Sequence, residues 1–186
     1  MDEELTLWEL GRLEAERKLR TIGASVLETA WVRAAQIEAV IDAVLAIALG
    51  GDVPAYARAR EVGEWSARIA AALENGPDPA VARRAGALRD LDPAALERIP
   101  ELRVLVGIVR EYQHYAGASG RSAGTTALIV AVADEFARRI APGQAGHTPS
   151  ASLELEAMRA CSPSVLRPIV AALSIAVSPK SRVRVA

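Results

Sequence analysis

The chain has 186 residues, 51% of them hydrophobic but only 4% aromatic, with 22 basic against 23 acidic side chains and a formal net charge of −1. That length supports one domain with its own core, and a balance so close to neutral argues against a dedicated nucleic-acid binder while leaving room for a single basic face. One cysteine, Cys161, excludes an internal disulfide, and the apolar charge-free stretches, 122–133 and 168–179, reach only about half of the roughly 20 residues that cross a bilayer.

Thirty-eight residues are alanine, the best helix former and small enough to let helices approach closely. The expected fold is therefore all-α, a bundle of about seven or eight Ala-rich helices over residues 1–177, followed by a basic arm at 178–186.

In chain order, Thr6 with Glu9 forms a capping box, stapled by Leu5 and Leu10, and predicts a helix over 7–20. Gly23 is expected to interrupt it. Ser25 with Glu28 then offers a second capping box, and Val26, Ala30, Ala34, Ile37, Ile41, Val44 and Ala48 recur at helical spacing until Gly50-Gly51 end the pattern. The later starts use a polar residue just ahead of proline: Asp52 before Pro54, Asp78-Pro79, Asp92-Pro93, Thr148-Pro149 and Ser162-Pro163. Each polar side chain can cap orphan amides while proline occupies the first turn. Helices follow over 53–74, 79–90, 93–98 running into 101–115, 124–140, 149–160 and 164–177, the last delayed or bent by Pro168.

Two segments, "ALIVAVA" (127–133) and "IVAALSIAV" (169–177), are apolar on nearly every side. A helix of that kind must be covered all round, and a subunit interface is the expected cover, formed by Ile169, Val170, Leu173 and Val177 together with Trp8.

Few residues carry recognisable chemistry. "GASGRSAGTT" (117–126) is Gly-rich and leads into a helix, the arrangement that cradles an anion, with Arg121 as its cation; the alternative is a connection capped by Ser122 or Thr125. It lacks the lysine of a phosphate-binding P-loop. "EYQH" (111–114) is half of a di-iron motif without its second half, since the other histidine is His147 in "QAGH". No metal, no cofactor and no catalytic residue is assigned. His114 is expected beside Tyr112 and Tyr115, Cys161 as a buried inert thiol, and Asp134, Glu135, Arg138 and Arg139 as surface ion pairs. Trp8, Trp31 and Trp65 fall on different helices as core or interface anchors; Trp31 near Arg33 and Trp65 near Arg68 are the closest approach to a base-stacking pattern.

Charge is distributed unevenly. Residues 1–16 hold six acids against one arginine, whereas residues 157–186 hold five bases and no acid. The tail "SPKSRVRVA" alternates Lys180, Arg182 and Arg184 with small or apolar residues, so an extended arm would carry its charges on one face.

The functional expectation is a non-enzymatic, intracellular assembly protein that forms homo- or hetero-oligomers and packs along a DNA or RNA backbone through Lys180, Arg182, Arg184, Arg167 and Arg121. Nucleocapsid subunits, within a virion or another nucleoprotein particle, have this general character. Two alternatives stand beside it: a ligand-binding or enzymatic domain using the 117–126 loop with Arg121, His114 and Glu111, and a dimeric adaptor.

Overall fold

A computed structural model of the chain describes residues 7–117, 123–140 and 149–178. It is all-α: the described residues form α1 (Leu7–Ala48), α2 (Val53–Ala72), α3 (Pro79–Leu88), α4 (Pro93–Glu97), α5 (Arg103–Gly117), α6 (Thr125–Arg139), α7 (Pro149–Cys161) and α8 (Arg167–Val177). Short 3-10 turns at Pro100–Leu102 and Ser164–Leu166 precede α5 and α8. The chain divides into two compact units, residues 1–40 and 41–186. The Thr6 and Thr148 caps lie outside the described residues.

The largest departure from the sequence reading is α1. It runs unbroken through Gly23, so the second start at Ser25 does not form. A lone glycine inside a helix costs only about 1 kcal/mol relative to alanine, and good helix formers on both sides outweigh that. Termination occurs where expected: Gly50 and Gly51 adopt φ of 57° and 84°, a left-handed geometry that favours glycine.

The Asp-Pro starts behave as their chemistry dictates. Asp52, Asp78 and Asp92 each accept a hydrogen bond from a backbone amide of the following turn, at Ala55, Ala80 and Ala94 respectively. Ser162 does not cap: its hydroxyl donates back to the Met158 carbonyl at the end of α7. Pro168 occupies the first turn of α8, which starts at Arg167 after the 3-10 turn.

In the second unit α6 lies at the centre, with α2, α3, α5, α7 and α8 packed against it. Its residues Ala127 to Val130, Val132 to Asp134, Phe136 and Ala137 are all buried. Trp65 of α2 meets Phe136 edge-on, with ring centroids 5.0 Å apart, and the Arg68 guanidinium covers the Trp65 ring at 4.9 Å. Ile169, Val170, Leu173 and Val177 of α8 join this same core. The cover that the sequence reading assigned to a neighbouring subunit is supplied by the chain itself, so these four residues are corrected from interface to core.

Small residues set the crossing of α2 with α3. A Cβ on Gly63 would stand 2.7 Å from the Arg83 carbonyl oxygen, and one on Gly86 would stand 2.5 Å from the Ser66 hydroxyl and 3.1 Å from Gly63 Cα. Ser66, fully buried, satisfies its hydroxyl on the Val62 carbonyl within α2. Gly107 of α5, by contrast, has open space around the place of a Cβ. Gly63→Ala and Gly86→Ala should each destabilise the fold by about 1–3 kcal/mol through overpacking. Gly107→Ala should stabilise it by about 0.5–1 kcal/mol through helix propensity. Urea unfolding of the three variants checks the contrast in sign.

Candidate functional site

The chemistry-bearing residues of the second unit converge on Asp134. It sits on α6 in an otherwise apolar run, four residues after Val130 and seven after Ala127, and so faces inward with them; it is only 5% exposed. A carboxylate so placed needs donors. Arg89, also 5% exposed and positioned at the C-terminal end of α3, donates from Nε to Asp134 Oδ1 at 2.8 Å. The Tyr112 hydroxyl of α5 donates to Oδ2 at 2.9 Å, and Arg138, one turn along α6, donates to the same oxygen. Arg89 spends its other nitrogens on the Gly86 carbonyl at 3.2 Å and on Asp90 at 3.0 Å. Gln113, next to Tyr112, donates its amide to the Arg89 and Leu91 carbonyls, closing the end of α3.

The electrostatic consequences follow from this geometry. Burial acting alone would raise the Asp134 carboxyl, but the Arg89 charge and the hydrogen bonds from Arg138 and Tyr112 outweigh it and hold the group below the usual carboxylate range. Burial, reinforced by the neighbouring Asp134 charge, pushes the Tyr112 hydroxyl well above its usual value. Every strong donor in the group already points at a partner in the chain. The cluster is a clamp joining α3, α5 and α6.

The sequence reading placed Asp134 in a surface ion pair, and burial corrects this. Arg139 does form the expected surface pair with Glu135, at 2.7 Å, and reaches Glu154 of α7 at 3.4 Å. The aromatic cluster around His114 does not form. Tyr112 turns to Asp134, Tyr115 packs at the edge of the main core, and His114 lies exposed with Nδ1 2.7 Å from the Arg110 carbonyl. Glu111 accepts from the amide of Gly124, the N-cap of α6, at 2.9 Å, so Thr125 is not the cap, and Ser122 lies outside the described residues.

Of the residues assigned to nucleic acid, Arg121, Lys180, Arg182 and Arg184 lie outside the described residues, while Arg167 opens α8 and is exposed. Trp8 belongs to α1, but its side chain lies outside the description, as does that of Cys161. No grouping of histidine, cysteine and carboxylates suited to a metal ion occurs among the described residues, and no described helix is long and apolar enough to cross a membrane.

A second feature lies on α1. Of the seven apolar positions in its periodic pattern, Ile41 alone is buried, and Val26 is exposed. Leu27, Trp31 and Val32 are exposed beside it, Leu27 at 63% and Trp31 at 75%. Single exposed apolar residues are ordinary, but Leu27 and Trp31, four residues apart and so on one side of the helix, form a candidate interaction face, with Val26 and Val32 to either side of it. Comparison with protein-family models, with curated protein sequences and with solved structures found no match to this chain.

The clamp makes stability pH-dependent at both extremes. Asp134 has a folded pKa below its ordinary value of 3.8, so its contribution is present above that value and lost as acid protonates the folded carboxylate. Tyr112 has a folded pKa above its ordinary 10.0, so its contribution is full below pH 10 and lost as the pH rises beyond it. Tyr112→Phe should cost about 1–2 kcal/mol at neutral pH and flatten the alkaline loss, as read by urea unfolding between pH 7 and 11. Arg89→Met should cost about 3–5 kcal/mol, because a buried carboxylate loses a principal partner.

Proposed function

We infer that this protein is a non-enzymatic helical assembly subunit that self-associates through the exposed apolar face of α1. The observation carrying this reading is the exposure of Val26, Leu27, Trp31 and Val32 on one helix, while the apolar residues of α6 and most of those of α8 are covered within the chain. Burying an exposed Trp and Leu at a helix pairing offers roughly 1.5–3 kcal/mol per side chain, and tryptophan is a frequent anchor of such contacts. The polar cluster at Asp134 is saturated by its own neighbours, which favours assembly over catalysis. Light scattering of the full-length protein should give a concentration-dependent mass above 19.7 kDa. Leu27→Ser/Trp31→Ser should return it to the monomer mass with its helical circular dichroism intact. An unchanged mass in that variant would remove α1 as the interface.

Packing along nucleic acid is a second reading, favoured by the five bases and absence of acids in residues 157–186. A mixed DNA and RNA pool should bind in low salt and release steeply as salt rises. A chain ending at Ser178 should lose that binding, having shed Lys180, Arg182 and Arg184.

A further inference from the structure

We propose that α1 pairs with α1 of a second copy in antiparallel orientation, about a two-fold axis at Thr29. This rests on the self-association reading above and adds the partner's orientation and register.

The argument is one of spacing. Arg20 and Glu38 are 18 residues apart, which is five turns at 3.6 residues per turn, so they share one side of the helix. Between them lie Ala24, Leu27, Trp31 and Ala34, and the series 20, 24, 27, 31, 34, 38 advances by alternating steps of four and three. That alternation is the narrow seam along which two helices pair. Arg20, Ala24, Leu27 and Trp31 are exposed, and Ala34 and Glu38 are half-buried.

The seam is symmetric about residue 29 in size and antisymmetric in charge. Reversing it exchanges 20 with 38, 24 with 34 and 27 with 31. In an antiparallel pair each Arg20 therefore meets a Glu38, each Ala24 meets an Ala34, and each Leu27 meets a Trp31. The two alanine layers let the backbones approach closely on either side of the large central layers. A parallel, in-register pair would instead set Arg20 against Arg20 and Glu38 against Glu38, which is repulsive at both ends. The paired length is about 27 Å at 1.5 Å per residue. Arg20 and Glu38 also mark its limits, because the seam's next position beyond Glu38, Ile41, is buried in the second unit.

The test is disulfide trapping in a Cys161→Ser background. Ala24→Cys and Ala34→Cys chains are oxidised separately and as a mixture, and read on a non-reducing gel beside light scattering of the unoxidised samples. The expected result is a cross-linked dimer in the mixture and none in either chain alone. Cross-linking of Ala24→Cys with itself would overturn the antiparallel arrangement and leave self-association standing. A dimer seen by scattering with no cross-link in any sample would overturn pairing along this seam. A monomer at every concentration would overturn the self-association reading itself. Charge reversal gives an independent measure: Arg20→Glu and Glu38→Arg should each weaken association by about tenfold, since two attractive pairs per dimer become repulsive. The double variant Arg20→Glu/Glu38→Arg should restore it; a double variant no stronger than the singles would overturn the register.

Discussion

The burial of one carboxylate beside the apolar run of α6 constrains the whole second unit. α6 is hydrophobic on nearly every side and can be stable only when enclosed, so α2, α3, α5, α7 and α8 gather around it. Asp134 rides into that enclosure with its apolar neighbours. An uncompensated charge there would cost more than most single contacts return, so the enclosing helices must also deliver donors. Arg89 arrives from the end of α3, Tyr112 from α5 and Arg138 from α6 itself. Hydrophobic burial thus calls for the shell, and the carboxylate fixes which residues of the shell face inward. Gln113 extends the arrangement by tying α5 to the last carbonyls of α3.

Alanine and glycine make the enclosure close enough to hold. Among the described residues only two aromatic rings, Trp65 and Phe136, are buried in the main core, which is otherwise filled by aliphatic side chains and alanine, and the small residues among them let backbones come together. The Gly63 and Gly86 crossing shows this between helices, with no room for a methyl group on either residue. Such packing is economical in volume, but it leaves no slack for substitution. The same preference for small residues recurs along α1, where exposed Ala24 and half-buried Ala34 flank the exposed Leu27 and Trp31. The two kinds of apolar surface have different consequences. One is consumed in folding, and the other remains available for association.

Most helix boundaries were legible in the sequence because their signals are local. An aspartate ahead of proline caps a helix by its own stereochemistry, whatever surrounds it, and Asp52, Asp78 and Asp92 all do so. Gly23 misled because propensity is weak and a long run of good helix formers overrides one unfavourable residue. Periodicity identified the apolar residues of α8 but could not say whether the same chain or another would cover them. For Asp134 a signal was present: an acid at four- and seven-residue spacing from Val130 and Ala127 must share their face. Arg89 carried none, since its partner is 45 residues away and the pairing exists only once α3 lies against α6. On α1 the broad periodic pattern obscured the narrower seam from Arg20 to Glu38, because both contain Ala34 and helical spacing alone does not reveal which side stays exposed.

Amide hydrogen exchange, followed by mass spectrometry at low and high protein concentration, tests the central claim that these two apolar surfaces have different fates. The α6 amides should be among the slowest in the molecule at both concentrations, as befits a helix enclosed within one chain. The amides of residues 20–38 should exchange quickly in dilute solution and become protected as concentration rises. Equal protection of residues 20–38 at both concentrations would contradict the account, as would α6 amides that slow only when the protein is concentrated.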